Sequence, residues 1–551
     1  MPRRLLDLGP DQLSLMPKLC LTKHMTSIPT YTTLSHCWGN KVPLRLTKGT
    51  LNKFVTGIPM SALPQKFIEA MLCTKRLCLR YIWIDCLCII QDCEDDWRLE
   101  ASQMKTIYER AYCNIAAAST PTIEGGLFGT RSPLDLKNVV IRPPWATSNY
   151  FCSDDELWHG NISQSPLLKR GWVLQEILLA PRVLYFGEKQ MFWECASLQA
   201  CESWPGGIPK MLNQSHTKLA LITEAAMEVE PLTELRSEEL ERIRNRRGGN
   251  GLPVIGGCRL EPGKDQDYLH LWPEIVTRYS KTTLTYPERD KLVALSGVAK
   301  LISSPDNYLA GLWIPQLPHS LAWRSISPTP RPSTYQAPTW SWASINTGVI
   351  FASELLADSL FIPSEGAENE GADIERADIE KVDNERADPT IVKAKMSYAN
   401  DDRTGQVKNG YIRLKGFMAR GLVEKSWTET AYIYSSHPEN VSACQVGPAI
   451  LHVFPDETPI LDGATLFCFY IGGNYALDRV FGILLEKYGV RRGVYRRVGY
   501  FEVVRSTIPK EGPSKGRENA DAFIALWRES LKRKPWDYIR WTENAVTVTI
   551  V

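Results

Sequence analysis

The sequence lacks the signatures of several common protein classes. No apolar run approaches the roughly 18 residues that a membrane-spanning helix needs, so we expect no membrane span. The opening segment MPRRLLDLGPDQLSLMPKLC has no uninterrupted apolar core, which argues against a secretory signal. No glycine-rich P-loop motif occurs, so a nucleotide-binding sensor would have to be a separate protein. Together these features predict a cytoplasmic protein.

The net charge and the cysteine pattern exclude further classes of protein. The formal net charge is only +2, so no overall field favours nucleic acid or an anionic membrane. The 14 cysteines include no CxxC pair, a pattern typical of reduced, buried thiols rather than of a disulfide framework. Cys86 and Cys88 lie two apart in a strand-like run, but we find no further ligands at zinc spacing and expect no metal site.

The chain is too long for a single core. Its 551 residues predict two or three domains. Residues 363–390 are charged, poor in apolar residues and contain the near-repeat ADIER and ADIEK, so we interpret them as a linker or insertion. The other predicted parts are an α/β domain over 1–200, a mainly helical region with a Trp-rich segment over 201–345, and a β-rich region with a terminal helix over 391–551.

The first domain alternates between strand and helix patterns. Tyr31–Gly39 is typical of a strand that ends at a glycine turn, and Pro64–Leu72 begins an amphipathic helix. Tyr81–Asp92 is the most apolar run, which predicts a central strand over 81–90 that is covered on both faces. A helix from Glu94 and a strand over Tyr112–Ala118 follow. This order implies right-handed crossovers and predicts an α/β fold, with a parallel sheet flanked by helices and an α+β region after it.

Residues 170–176, RGWVLQE, hold the densest group of candidate site residues. A helix beginning near Pro166 would place Trp172 and Glu176 on one face, four residues apart. The residues that follow alternate like two strands joined at Gly187. Two interpretations stay open: Arg170 and Glu176 form a structural ion pair with Trp172 in the core, or Glu176 belongs to a functional site.

Other polar residues lie at the ends of the predicted strands. Ser35 closes the first strand, and Gln91 closes the apolar run. Asp85 lies inside that run, where a carboxylate needs a partner, and Arg170 is a candidate. Because the ends of parallel strands meet on one side of a sheet, we expect Ser35, Asp85, Gln91, Arg170 and Glu176 to gather around one cleft.

Four segments, in this order, resemble the successive motifs of the fungal heterokaryon-incompatibility (HET) domain. They are Tyr31–Gly39, Tyr81–Asp92, the helix from Gln103 to Ala111, and Arg170–Glu176. Further segments resemble long members of that family, among them the Trp-rich Ala337–Ser344. The chain departs from the family pattern at His36, where Tyr is usual, and at Ile90, where Asn is usual.

The resemblance implies a function and a set of residues. The family is implicated in non-self recognition and programmed cell death, and its fold is similar to that of Toll/interleukin-1 receptor (TIR) domains. Some TIR domains cleave NAD⁺ at the nicotinamide glycosidic bond with a glutamate in a Trp-x-x-x-Glu pattern, which Trp172 and Glu176 match. The resemblance therefore implies Glu176 as the catalytic residue, NAD⁺ as the candidate substrate and no required cofactor. The ligand-binding candidates are Ser35, Trp38, Asp85, Gln91, Arg170 and Trp172.

Three hypotheses remain open at this point. The first is an NAD⁺-cleaving effector that is switched on by homo-oligomeric assembly, with a separate sensor or allelic incompatibility protein as its trigger. The second is a non-catalytic signalling module that acts through oligomerisation. The third is a tailoring enzyme of different chemistry, since a fold does not determine the reaction.

Overall fold

The structure is a computed structural model that forms two compact units. It describes residues 2–209, 212, 254–255, 258–259, 269–352, 389–424, 432–435, 451–457, 465–474, 479–504 and 540–551, apart from gaps at 12–14, 26, 28, 40–43, 133–135, 137–138, 143, 146–149, 153–155, 417 and 543–544. The first unit comprises Met1–Leu271, Thr282–Thr285 and Val293–Ser303, and the second comprises Trp272–Lys281, Tyr286–Leu292 and Ser304–Val551.

The strands of the first unit are short and the helices of the described chain vary widely in length. The strands are β1 Arg4–Asp7, β2 Lys18–Leu21, β3 Tyr31–Ser35, β4 Tyr81–Trp83, β5 Cys113–Ala116, β6 Val139–Ile141, β7 Tyr150–Cys152, β8 Arg182–Phe186, β9 Met191–Cys195, β10 Gln199–Cys201, β11 Val254–Ile255 and β12 Cys258–Arg259. The helices of both units are α1 Leu51–Thr56, α2 Gln65–Arg76, α3 Asp85–Cys88, α4 Glu94–Glu109, α5 Gly171–Leu179, α6 Trp272–Ser280, α7 Pro287–Asp290 and α8 Val293–Ile302.

The first unit is built on an eight-stranded sheet in the order β10-β9-β8-β5-β3-β4-β1-β2. The four central strands β4, β3, β5 and β8 run parallel, and antiparallel strands complete both edges. The α/β prediction is therefore confirmed. From β3 the chain first moves to β4 and then crosses back to β5, so its direction reverses at β3, and doubly wound sheets bind ligands at such a switch point.

Strand β3 sends alternate side chains to opposite faces of the sheet. Tyr31 donates a hydrogen bond to a backbone carbonyl of α4 at 2.7 Å, and Ser35 donates to a side chain of α5. Thr32 lies 2.7 Å from a threonine hydroxyl of α2, and the His36 ring packs edge-on against a phenylalanine of α2. The strand end therefore delivers one polar side chain to each face.

The predicted central strand over 81–90 is shorter than expected. Strand β4 covers only Tyr81–Trp83, and the chain turns at Asp85 into the one-turn helix α3. The Asp85 carboxylate accepts a hydrogen bond from the Cys86 backbone N–H at 2.7 Å, a local bond that competes with a sheet ladder. Strand β4 is nevertheless an interior strand, between β3 and β1. Cys86 and Cys88 lie on the helical turn α3, so the interpretation of their run as a strand was wrong.

The helix that carries Glu176 also begins later than predicted. A 3-10 turn over Leu167–Lys169 follows Pro166, and α5 begins only at Gly171. Strands β8 and β9 pair antiparallel across the turn that contains Gly187, as predicted. Trp172 and Glu176 both lie on α5, one helical turn apart.

The second unit is dominated by antiparallel strands. Its largest sheet has ten strands, in which β24 and β26 form a parallel pair. The strands are β13 Tyr308–Leu309, β14 Leu312–Trp313, β15 Trp323–Ser325, β16 Val349–Phe351, β17 Thr390–Tyr398, β18 Val407–Gly416, β19 Met418–Glu424, β20 Tyr432–Ser435, β21 Leu451–Pro455, β22 Thr465–Asn474, β23 Arg479–Lys487, β24 Val494–Val504, β25 Arg540–Thr542 and β26 Ala545–Ile550. The prediction of a β-rich C-terminal region is confirmed.

Tryptophan rings pack around Gly311 in one part of the core of the second unit. The indole N–H groups of Trp272 and Trp342 both donate to the Gly311 carbonyl, each at 2.8 Å. Trp340 and Trp342 are fully buried, as expected of packing residues. The alternation of Trp340 and Trp342 in sequence is typical of a strand, but Trp342–Ser344 is a 3-10 turn.

Several predictions fall outside the described residues. These are most of the charged segment over 363–390 and the terminal helix, which we expected over 520–531. In the part of the chain that the structure describes, no helix is long and apolar enough to cross a membrane. Of the thirteen cysteines in the described ranges, eleven are free thiols, and seven of these eleven are buried.

The close approach at Gly311 predicts a localised stability defect. Gly311 has φ +96°, and a Cβ there would lie 2.6 Å from the Trp342 indole nitrogen. We expect Gly311→Ala to cost about 3 kcal/mol, from left-handed backbone strain and overpacking together. Urea unfolding followed by tryptophan fluorescence measures this cost.

Gly489 provides the matched control, because it has φ +66° but nothing within 4 Å of a Cβ. Gly489→Ala should cost only the backbone strain, about 1–2 kcal/mol. Equal losses in the two variants would contradict the packing argument.

Candidate active site

Close contacts at two glycines hold helix α5 in place: Gly171, its first residue, and Gly297 on helix α8. A Cβ on Gly171 would lie 2.6 Å from the Leu284 side chain, and the Gly171 N–H donates to the Thr283 carbonyl at 2.8 Å. On helix α8, the Gly297 N–H donates to the Gln175 side chain at 3.3 Å. These contacts determine where α5 begins and how it is rotated, and so they aim Glu176 at the end of β3.

A directed chain of hydrogen bonds ends at Glu176. The Thr33 hydroxyl donates to Asn114 Oδ1 at 3.0 Å, and Asn114 Nδ2 donates to Ser35 Oγ at 2.9 Å. The single Ser35 proton is then available for Glu176 Oε2, to which it makes a short hydrogen bond. Ser35 also lies 3.2 Å from Asn114 Oδ1, a longer contact. Because β3 and β5 are neighbours at the switch point, the sheet itself positions the serine that holds this carboxyl.

Burial makes the Glu176 carboxyl a group that titrates near neutral pH. Desolvation raises its pKa to about 7, against the hydrogen bond from Ser35 and the positive charge of Arg170, both of which lower it. The negative charge of Asp85 raises the pKa further, and a hydrogen bond with Tyr108 lowers it. The side chain is 7% exposed. A carboxyl with this pKa can hold or release a proton at physiological pH.

Asp85, which follows β4, is positioned by two groups that follow the end of β3. The Trp38 indole N–H donates to Asp85 Oδ2 at 3.1 Å, and His36 Nδ1 lies 3.9 Å from Asp85 Oδ1. Gly39 follows at φ +69°, and it lets the chain turn immediately after Trp38. The Asp85 side chain is 26% exposed, so one side of the carboxylate is open.

Arg170 forms neither of the ion pairs that the sequence suggested. Its guanidinium donates to the backbone carbonyl of His36. Among the described residues, no ion pair within 4.0 Å joins it to Asp85 or to Glu176. Arg170 acts on Glu176 through its charge rather than by contact. The interpretation of Arg170 and Glu176 as a structural ion pair was therefore wrong.

Gln91 lies close to Asp85, but its side chain donates hydrogen bonds to backbone carbonyls. Its amide nitrogen donates to the Ile89 carbonyl at 3.1 Å and to the Asp85 carbonyl at 3.4 Å. The side chain therefore closes the turn that contains α3. A role for Gln91 in ligand binding stays a prediction.

Trp172 is half-buried and packs against a second tryptophan. Its ring meets Trp97 of α4 edge-to-face, with ring centroids 6.2 Å apart. Trp97 was not among the candidate site residues named from the sequence. The pair forms an aromatic surface one helical turn before Glu176.

Two residues of the Glu176 network were missed from sequence. Asn114 is fully buried, and it could have been suspected as a lone amide in a strand of small and apolar residues. Tyr108 gave no separate signal, because its helical spacing already explained it as a core residue.

A second group of side chains lies around Asp85. Ligand atoms of His36, Asp85 and Cys86 all lie within 4.8 Å of one another. Burial lowers the pKa of His36 to about 4, so its imidazole is neutral at pH 7. The sequence had suggested no such group, because His36 and Cys86 are 50 positions apart and meet only through the pairing of β3 with β4.

The fold and the site define a doubly wound α/β domain with a buried, titratable carboxyl at its switch point. Residues 31–176 match the model of the family described as heterokaryon incompatibility protein (HET). The chain therefore carries a HET domain, which supports a role related to heterokaryon incompatibility. No curated protein and no solved structure matches the chain. Similarity to TIR domains stays a prediction.

The raised pKa of Glu176 predicts a pH-dependent contribution to stability. The folded chain binds this proton more tightly than the unfolded chain, so the contribution is complete below the unfolded pKa and is lost as pH rises towards about 7. Glu176→Gln removes the titration. Between pH 5 and pH 8, the unfolding free energy of the variant should gain about 2–3 kcal/mol relative to that of the parent.

Urea denaturation at the two pH values measures this difference. The exposed Glu94, also a glutamate on a helix of the first unit, supplies the control, and Glu94→Gln should change by only a few tenths of a kcal/mol. A difference between Glu176→Gln and the parent that does not depend on pH would contradict the buried, titrating carboxyl.

Proposed function

We propose that the HET domain of this chain cleaves NAD⁺ at its nicotinamide glycosidic bond, as an effector of heterokaryon incompatibility and programmed cell death. The observation that carries the proposal is Glu176: a buried carboxyl without an ion-pair partner among the described residues, held by Ser35 at the switch point of the sheet. A buried carboxyl that serves only the fold is usually paired with a cation.

The proposed chemistry uses the ionised form of Glu176. Glycosidic cleavage passes through an oxocarbenium-like state, and a carboxylate beside the ribose stabilises the positive charge that develops there. The Ser35 hydroxyl and the charge of Arg170 both favour the ionised form. Trp172 and Trp97 offer an aromatic surface on which a base can stack.

The burial of Glu176 bears on how such an activity would be controlled. At 7% exposure the carboxyl is reached by a dinucleotide only after its surroundings open. Homo-oligomeric assembly, triggered by a separate sensor or allelic partner, is the proposed cause of that opening. The same burial favours the second candidate function, a non-catalytic signalling module in which the Glu176 network only stabilises the domain.

NAD⁺ turnover by the purified chain separates the two functions. Under the proposal, Glu176→Gln keeps the shape of the side chain but removes its charge. A loss of about 3 kcal/mol of transition-state stabilisation would lower kcat roughly a hundredfold. Nicotinamide release, followed by chromatography, is the measurement, with the melting temperature recorded for each variant. A stable Glu176→Gln that turns over NAD⁺ like the parent, or is equally toxic in cells, would rule out the catalytic role.

The pH dependence of the same activity provides an independent test. Since the ionised carboxyl is the active form, kcat/KM should rise with pH and level off above about 7. Ser35→Ala removes a hydrogen bond that favours ionisation, so the midpoint should move up by about one pH unit. Thr32→Ser changes a residue on the opposite face of β3 and should leave the midpoint in place. A midpoint that Ser35→Ala does not move would exclude this role of Ser35.

A further inference from the structure

A cluster of three potential metal ligands lies beside the candidate active site and takes no part in the proposed reaction. It consists of one ring nitrogen of His36, one carboxylate oxygen of Asp85 and the thiol sulfur of Cys86, all within 4.8 Å of one another. His36 Nδ1 lies 3.9 Å from Asp85 Oδ1, so the imidazole and the carboxylate are direct neighbours.

His36 supplies a second observation that points to a ligand. Its side chain is 2% exposed, yet its Nε2 atom has no hydrogen-bond partner among the described residues. Buried ring nitrogens are usually hydrogen-bonded, and an unsatisfied one calls for an explanation. The Leu34 carbonyl lies within hydrogen-bonding reach of the ring. Metal-bound histidines are commonly oriented by such a carbonyl on their other nitrogen.

The donor set and its charge fit a zinc-class divalent ion. Imidazole nitrogen, carboxylate oxygen and thiolate sulfur are the three ligand types that zinc accepts. A carboxylate and a thiolate together balance two positive charges, so the occupied site would be neutral. The neighbouring cations are already engaged with backbone carbonyls: Arg170 binds that of His36, and Lys66 binds those of Thr120 and Thr122.

We propose that His36, Asp85 and Cys86 bind a zinc-class divalent ion with three protein ligands and one open position. The open position lies on the side of Asp85, which is the exposed member of the three, while His36 and Cys86 are buried. Three protein ligands with one open position are typical of a site that can bind water or a further ligand, whereas closed structural sites have four protein ligands.

Cobalt(II) tests the proposal directly, because a cobalt–thiolate bond gives a charge-transfer absorption band. The full chain is treated with a chelator and titrated with Co²⁺, and Zn²⁺ is then added. We expect about one equivalent of Co²⁺ to bind with a thiolate band, and Zn²⁺ to displace it. Cys86→Ser should lose the band. His36→Gln should weaken Zn²⁺ binding about a hundredfold or more, since loss of even an outer-shell partner costs about 10–100-fold.

Cys88 provides the matched control. It is equally buried and lies on the same helical turn, but it is not a member of the cluster. Cys88→Ser should therefore keep both the band and the zinc affinity. X-ray absorption of the zinc-loaded parent gives a readout that needs no variant: one sulfur ligand at about 2.3 Å together with nitrogen and oxygen ligands.

Two results would overturn the proposal. One is a parent chain that shows no thiolate band and no zinc-bound sulfur. The other is a band that survives Cys86→Ser but disappears in Cys88→Ser, which would place the metal elsewhere. Neither readout depends on NAD⁺ cleavage, so the metal site can stand or fall separately from the proposed function.

Discussion

The hydrogen bond between Ser35 and Glu176 is the interaction on which the organisation of the first unit depends. It joins the last residue of β3 to the middle of α5, two elements separated by 141 positions in the chain. Each partner is fixed by other contacts. Ser35 Oγ accepts a hydrogen bond from Asn114 on the neighbouring strand, and α5 is fixed by close contacts at Gly171 and Gly297. The geometry around the carboxyl is therefore set by the sheet and not by a mobile loop.

The electrostatic surroundings of this hydrogen bond explain why the pKa of the Glu176 carboxyl lies between that of an exposed carboxyl and that of a buried, unpaired one. Desolvation alone would strongly favour the protonated form. The Ser35 hydroxyl and the charge of Arg170 work against it, and the balance leaves the pKa of Glu176 at about 7. A direct ion pair with Arg170 would have favoured the ionised form more strongly. Because Arg170 instead binds the His36 carbonyl, its charge acts from a distance and the carboxyl stays poised between its two states.

The sequence allowed the fold class and much of the candidate site to be predicted, because both depend on local patterns. The strand over Tyr31–Ser35, the helix after Pro64 and the paired strands around Gly187 each followed from periodicity and turn residues. The rule that parallel strands end on one side predicted that Ser35, Asp85, Gln91, Arg170 and Glu176 gather around one cleft. Ser35 contacts Glu176 directly, and the charges of Asp85 and Arg170 act on it, while a cleft lined by all five stays a prediction.

What the sequence could not supply was the choice between competing local bonds. The run after Trp83 is apolar enough for a strand, yet the Asp85 carboxylate binds the next backbone N–H and begins a helical turn. Similarly, nothing in the order of residues separates an Arg170 that pairs with a carboxylate from one that binds a carbonyl. Asn114 and Tyr108 were missed for a related reason, since the contact that makes each of them important crosses between elements.

The end of β3 also explains why the hydrogen-bond network of Glu176 and the ligand cluster around Asp85 stay separate although they lie close together. Successive side chains of a strand point to opposite faces, so Ser35 reaches α5 on one face while His36 packs against α2 on the other. A register slip of one residue would exchange them and bring the imidazole to the Glu176 carboxyl. Three parallel strand pairings hold this register. Strand β3 pairs with β4 from Tyr31 and with β5 through Ser35, and β5 pairs in turn with β8. The pairing of the central strands, more than any single contact, keeps the carboxyl network and the ligand cluster around Asp85 distinct.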